Sequence, residues 1–193
     1  MNEFWLWFTM GFQHILDWNG YDHILYVMVL CVLFSIKEWK SLLVLITAFT
    51  IGHSLTLAAS AFHIIAIKQS IIEVLIPLTI ITTCLSNIYF RNKQRINYQF
   101  NYALALLFGF IHGMGFSYML KSLLGKEESI LLPLLSFNIG LEVGQLCIVS
   151  AMLLFSVFLI RFTRIKSAVW VTTVSSAVLI IATYLFILRL NHL

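Results

Sequence analysis

Charge is what this chain has least of. Asp, Glu, Lys and Arg together make up 10% of its 193 residues, while 61% are hydrophobic, and the mean hydropathy is +0.96. A soluble domain carries about one quarter charged residues and is about half apolar. The composition therefore excludes a water-soluble fold and implies an integral membrane protein. The length suits one bundle of several spans, a single membrane domain over residues 1–193 with nothing left over for a soluble one. A basic tract is also missing: the net charge is +4 and is spread among the connections. That argues against a nucleic-acid partner and leaves Lys and Arg as reporters of topology. Cys31, Cys84 and Cys147 are isolated, none in a CxxC pair, so there is no disulfide framework. Each falls within a predicted span and is expected to be a small buried hydrophobe. The amino terminus, Met1-Asn-Glu-Phe-Trp-Leu-Trp-Phe, lacks a basic n-region and a small-residue cleavage site, so no cleavage is expected. A nucleotide-binding loop is absent too, so coupling to ATP would require partners.

What is present is a series of long apolar runs. The hydropathy pattern predicts an all-α membrane bundle with spans at about 20–36, 41–63, 70–90, 102–120, 130–160 and 168–188. The fifth run exceeds the roughly 20 residues a bilayer needs, so it is tilted or extends beyond the membrane. The stretch 3–18 is too short and too polar to span. Its Trp5, Trp7 and Trp18 favour the headgroup zone, which predicts a short interfacial or re-entrant helix ahead of the six spans. The connections after spans one, three and five hold Lys37, Lys40, Arg91, Lys93, Arg95, Arg161, Arg164 and Lys166; the opposite side holds Lys68, Lys121, Lys126 and Arg189. This excess places the first set in the cytoplasm and both termini outside, as expected of a multi-pass protein of the cell's inner membrane.

Inside these runs stand residues that hydrocarbon does not tolerate cheaply. The segment Phe108-Gly-Phe-Ile-His112-Gly-Met-Gly-Phe-Ser117 carries one imidazole, Thr50-Ile-Gly-His53-Ser54 a second, and Asn138-Ile-Gly-Leu-Glu142-Val-Gly-Gln145 a carboxylate. His53 lies about twelve residues, roughly 18 Å, into its span, and His112 and Glu142 fall at similar depths. Ionisable groups at membrane depth are costly and point to a shared functional site. Asn138, Glu142 and Gln145 are spaced to lie along one helix face. Thr50 is placed to orient His53 or line a polar path, although Thr and Ser here could equally bond back to their own helix carbonyls. Asp22 and His23 open span one near the outer face; with His14 and Asp17 they form an acidic, imidazole-bearing vestibule. Adjacent helix residues point about 100° apart, so Asp22 and His23 need not address the same ion. Glu73 reads as a solvated helix-start carboxylate, and His63 and His192 as interfacial. Gly109 and Gly113 form one GxxxG and Gly140 and Gly144 another, spacings that let helices approach closely in lipid.

Imidazole plus carboxylate without clustered thiolates suits a divalent transition metal such as nickel, cobalt, zinc or iron better than cuprous copper. Met114 and Met119 are expected to pack rather than bind. The same ligands could serve a transported ion or a catalytic one.

The segments Gly20-Tyr-Asp22-His23-Ile-Leu, Phe49-Thr-Ile-Gly-His53-Ser-Leu-Thr-Leu, Phe108-Gly-Phe-Ile-His112-Gly-Met-Gly-Phe and Phe137-Asn-Ile-Gly-Leu-Glu142-Val-Gly-Gln145 resemble the HupE/UreJ family of membrane proteins. The longer spacer from His14 to Asp22 and the lack of a Glu just after His112 bring the chain nearer the second, less characterised branch. The resemblance implies a six-helix membrane protein associated with nickel supply to hydrogenase or urease, usually called a nickel permease. Metalloenzyme maturation partners are implied with it, and Asp22, His23, His53, His112 and Glu142 as the functional set. Sequence reasoning thus favours a permease for nickel or cobalt. The alternative is a metal-dependent membrane hydrolase acting on a lipid or lipid-linked substrate, with Glu142 or Asp22 as general base.

Overall fold

The computed structural model describes residues 2–62, 64–65, 67–91, 98–124 and 130–193, with side chains at all of these except 19 and 118–124. The expectations for His63, Lys93, Arg95 and Lys126, and for the side chains of Met119 and Lys121, lie outside the described residues. Within them every regular element is helical: α1 (Glu3–Leu16), α2 (Asp22–Cys31), α3 (Trp39–Ala61), α4 (Gln69–Phe90), α5 (Tyr98–Leu124), α6 (Leu131–Thr163) and α7 (Ser167–Leu190). Five of these, α3 to α7, are long and apolar enough to cross a membrane. They coincide with the last five predicted spans to within a few residues. At 33 residues, α6 is about 50 Å long against a hydrocarbon core of about 30 Å. It stops at Arg164, whose φ of 55° is a left-handed helix end.

The amino-terminal part is organised differently from a surface helix followed by a plain span. Helix α2 has ten residues and rises only about 15 Å. The chain leaves it at Val32 and turns through Ser35, whose backbone N–H and hydroxyl both donate to the Glu38 carboxylate at 2.9 Å, a capping box that starts the next helix. Helix α1 buries Trp7, Gly11 and Ile15, a stripe at four-residue spacing that faces α6. A Cβ at Gly11 would run into the Phe137 carbonyl, one at Gly140 into the backbone of Phe8 and Phe12, and one at Gly144 into the Ile15 side chain. The contacting positions rise together in number, so α1 runs parallel to α6. Helix α2 continues along α6 in the same direction: Leu16, Trp18, Ile24 and Met28 face Cys147, Ala151 and Phe155 across a cleft of about 600 Å³. Together α1, the break at 17–21 and α2 form a discontinuous rod beside the longest helix.

The other GxxxG joins α3 and α5. Cβ atoms at Gly109 and Gly113 would collide with the Phe49 carbonyl and with the His53 carbonyl and Thr56 hydroxyl respectively, while Gly52 lies against Leu106 and Phe110. Both GxxxG pairs therefore bring backbones together, as small residues do in lipid. Asn87 of α4 ties the bundle from the side, donating to the Val29 carbonyl of α2 at 2.6 Å. The outward faces are apolar, with Leu154, Phe158 and Ile180 more than half exposed. Cys31 and Cys84 are buried as expected, but Cys147 is exposed. It lies on the wall of the cleft between α6 and the α1–α2 rod, with Ala151 and Phe155.

Candidate metal site

The break between α1 and α2 is where the polar residues gather. Asp17 leaves α1 with an extended backbone, ψ 121°, and one 3-10 turn (Trp18–Gly20) closes when the Gly20 N–H donates to the Asp17 carbonyl at 3.1 Å. Helix α2 then opens with Asp22 in its first turn, where free N–H groups and the helix dipole favour an anion. Asp22 Oδ1 accepts from the His23 backbone N–H at 2.9 Å and lies 3.1 Å from His23 Nδ1. That same Nδ1 is 3.4 Å from the Gly20 carbonyl. Two acceptors on one side of the ring hold the proton on Nδ1 and leave the Nε2 lone pair facing inward, the tautomer a metal ligand requires.

Three further imidazoles meet His23. His14, on the last turn of α1, has its ring centroid 4.7 Å from that of His23. His112 of α5 is 4.4 Å away on the other side, and His53 of α3 lies 6.2 Å from His14. Four helices thus contribute one imidazole each. Their potential ligand atoms form two triads that share His23: His14, His23 and His53, and Asp22, His23 and His112, with the atoms of each triad within 4.8 Å of one another. His53 and His112 are 0% and 1% exposed, and Asp22 and His23 6% each. The glycine contacts explain how α3 and α5 come close enough, since Gly113 rests on the His53 backbone itself.

The ring nitrogens fit an ion better than they fit each other. His14 Nε2, His23 Nε2, and both nitrogens of His53 and of His112 are buried without a hydrogen-bond partner. A buried polar atom left unpaired costs about 1–3 kcal/mol, and native structures keep few of them. Neutral imidazoles plus one carboxylate, in reach of one another, are the donor set of a divalent transition metal. Aromatic rings close the site: Phe108 stacks on His112 at 4.2 Å, Phe116 contacts His14 at 4.1 Å, and Phe137 stacks on His53 at 6.2 Å. On the α1 side a cleft of about 620 Å³, lined by Met10, Phe12, Leu16, Trp18 and Phe116 with Gln13, His14 and Asp17, opens onto His14.

The structure therefore brings together Asp22, His23, His53 and His112, and adds His14 as a full neighbour rather than an outlying one. Although adjacent in sequence, Asp22 and His23 address the same triad, because Asp22 folds back onto the free end of its own helix. The remaining sequence candidates form a seam between α3 and α6. Asn138 lies beside His53; its Nδ2 donates to the Leu134 carbonyl at 2.7 Å, and its buried Oδ1 has no donor in hydrogen-bond geometry. Thr50 Oγ1 donates to Gln145 Oε1 at 3.0 Å, sharing its proton with the Ile46 carbonyl at 3.2 Å. Glu142 belongs to neither triad; it is half-buried and accepts from the exposed Thr47 hydroxyl at 2.9 Å. Asp17 is exposed on the wall of the cleft. Ser54 bonds back to the Thr50 carbonyl at 2.7 Å, His192 is exposed beyond α7, and Met114 packs against Ile72, Ile76 and Ile111. One contributor had no signal in the sequence beyond a cation near a helix end: Arg189, which reaches Asp22 from α7 at 3.1 Å.

Fold and site together define a helical membrane protein with a buried four-histidine, one-carboxylate cluster at a break in its first helical rod. The chain belongs to the HupE/UreJ family: the family model described as HupE / UreJ protein matches residues 1–189. No curated protein and no solved structure matches it.

Proposed function

We propose that the protein is an inner-membrane permease for a divalent transition metal, nickel or cobalt by family, with the ion as its substrate. The observation that carries the reading is the meeting of imidazoles from four helices in two triads that share His23, one of them with the buried Asp22 carboxylate, with six ring nitrogens outside hydrogen-bond geometry. In this reading α1, the break and α2 count as one discontinuous crossing. With α3 to α7 that makes six crossings, both termini outside and the cations Lys37, Lys40, Arg161, Arg164 and Lys166 in the cytoplasm. Discontinuous membrane helices place substrate sites at their breaks, and His14, Asp22 and His23 sit at this one. The ion enters beside His14, is exchanged between the two triads through the shared His23, and leaves from His53 along the α3–α6 seam. Along α3 that seam runs from His53, beside Asn138, past Thr50 to Thr47, whose partners on α6 are Gln145 and Glu142. From His53 to Thr47 is six residues of α3, about 9 Å. A metalloenzyme maturation system on the cytoplasmic side would consume the delivered ion.

The test is uptake of radioactive nickel or cobalt by cells expressing the protein. Wild type accumulates the ion and His112→Ala does not, at equal levels of folded protein; equal uptake by the variant refutes the reading. The apolar cleft that opens on His14 supports a second reading, a metal-dependent hydrolase on a lipid-linked substrate. Metal-dependent turnover by purified protein in detergent, without uptake in vesicles, would favour it.

A further inference from the structure

Arg189 belongs to the last turn of α7, remote in sequence from every member of the cluster, yet its guanidinium holds the cluster's carboxylate. Its Nη2 donates to Asp22 Oδ2 at 3.1 Å, and its Nη1 donates to the Glu73 carbonyl at 3.1 Å. That carbonyl is available for a specific reason. In α4 the residue four positions after Glu73 is Pro77, which has no N–H to donate. A helix interior defect on α4 thus becomes the second anchor for a side chain of α7, and the anchored fork is aimed at α2. Asp22 is divided between two uses: Oδ1 faces His23, and Oδ2 faces Arg189. The Asp22 side chain is 8% exposed and that of Arg189 26%, so the ion pair is partly screened from the Arg189 side and little from the Asp22 side.

A divalent ion held by Asp22, His23 and His112 and the guanidinium of Arg189 must share one negative charge. We propose that Arg189 is a built-in competing cation: it neutralises Asp22 when the triad holds no ion, and weakens the triad's grip when an ion is bound. This makes it a positioning and affinity-setting residue. It touches neither imidazole nor ion, and acts through Asp22. The role suits a site that must give up what it binds, since binding strong enough to capture an ion defeats its release. The inference rests on the ion-binding reading of the cluster given above.

The sign of the effect separates this role from a structural one. If Arg189 merely props Asp22 in place, removing it loosens the carboxylate and weakens ion binding. If it competes, removing it strengthens binding. The experiment is calorimetric titration of cobalt and of nickel into purified protein in detergent, comparing wild type with Arg189→Gln, Arg189→Lys and Pro77→Ala. Arg189→Gln is expected to bind about tenfold more tightly, the order of magnitude for loss of one nearby, partly screened cation. Arg189→Lys, which keeps the charge, is expected near wild type. Pro77→Ala restores the N–H that takes the Glu73 carbonyl away from Arg189, and is expected to tighten binding by a smaller factor without altering any ligand. Unchanged or weaker binding by Arg189→Gln overturns the proposal, as does Arg189→Lys binding as tightly as Arg189→Gln. Should Arg189→Gln fail to fold, unchanged affinity in Pro77→Ala overturns it instead. A wild-type protein that binds neither ion refutes the cluster as a metal site and this role with it, whereas binding that is indifferent to position 189 refutes only the role.

Discussion

His23 is the residue on which the two triads depend, and its removal should be felt differently from that of any other imidazole. His14 and His53 serve one triad only, as do Asp22 and His112. An ion that binds the folded protein and not the unfolded chain stabilises it by about 2.7 kcal/mol at a hundredfold excess over its Kd. For a chain of this size, about 2–4 °C accompanies each kcal/mol, so cobalt or nickel at that excess should raise the melting temperature of the wild type by roughly 5–10 °C. His53→Ala leaves the Asp22, His23 and His112 triad intact, and His112→Ala leaves the other. Each variant should keep a reduced shift. His23→Ala breaks both triads and should show none. The ion-free proteins should behave in the opposite sense. The six unpartnered ring nitrogens each cost about 1–3 kcal/mol, so deleting one imidazole removes part of that cost while leaving a cavity. The ion-free stability, read from the melting temperature, should therefore fall by less than the roughly 2–5 kcal/mol typical of a large-to-small change in a packed core. Thermal unfolding in detergent followed by intrinsic fluorescence, with and without ion, measures both. A full ion-induced shift in His23→Ala refutes the shared-ligand geometry.

Other expectations follow from particular contacts. Gly113→Leu drives a side chain into the His53 backbone and the Thr56 hydroxyl. It should destabilise the protein by at least the roughly 1–3 kcal/mol of ordinary overpacking and abolish metal-dependent stabilisation, both read from the same melts. Glu142→Gln removes a carboxylate that bonds Thr47 and not the imidazoles. Equilibrium dialysis should find ion affinity at the cluster unchanged while cellular uptake falls, and a loss of affinity would show that Glu142 is a ligand. Asn138→Leu should weaken binding by removing the buried amide beside His53, by up to the roughly 10–100-fold typical of groups that orient metal-ligating imidazoles; titration calorimetry decides.

Much of this molecule was legible in its sequence because lipid leaves few options. Hydropathy located α3 to α7 within a few residues, since a backbone in hydrocarbon must satisfy its own hydrogen bonds. The ionisable residues inside those runs marked His53 and His112 for the same reason. What hydropathy could not see was the way α1 and α2 share one path along α6. The stretch holding α1 reads as too short to span and the one holding α2 as a plain span, and the parallel register is set by Gly11, Gly140 and Gly144 fitting between the helices, a tertiary fit with no local signature. His14 was undervalued as a consequence, because a surface helix would have left it outside the cluster. Arg189 was invisible for a related reason. Its role requires knowing that Pro77 frees the Glu73 carbonyl and that α7 ends beside α2, two facts of packing that no residue spacing encodes.

The break itself yields the sharpest contrast among the glycines. Gly20 sits at the turn between α1 and α2 and looks like the residue whose conformational freedom the break requires. Yet among the described residues the positive φ of a non-glycine is confined to Arg164, Gly20 has no left-handed φ, and a Cβ there meets nothing nearer than Asp22 Oδ1 at 3.9 Å. The break is held instead by the hydrogen bond from the Gly20 N–H to Asp17 and by the His23 ring against the Gly20 carbonyl, both of which alanine preserves. Gly20→Ala should therefore fold, bind cobalt with wild-type affinity, and gain up to about 1 kcal/mol from the reduced freedom of its unfolded chain. Gly109→Ala, placed where a Cβ meets the Phe49 carbonyl and comes within 3.0 Å of the His53 amide nitrogen, should lose both stability and ion affinity, because α5 must move away from α3 and carry His112 with it. Identical behaviour of the two alanine variants in melting and titration would mean that the site's geometry is not set by helix approach. A harmful Gly20→Ala would mean that the turn needs more than its two hydrogen bonds.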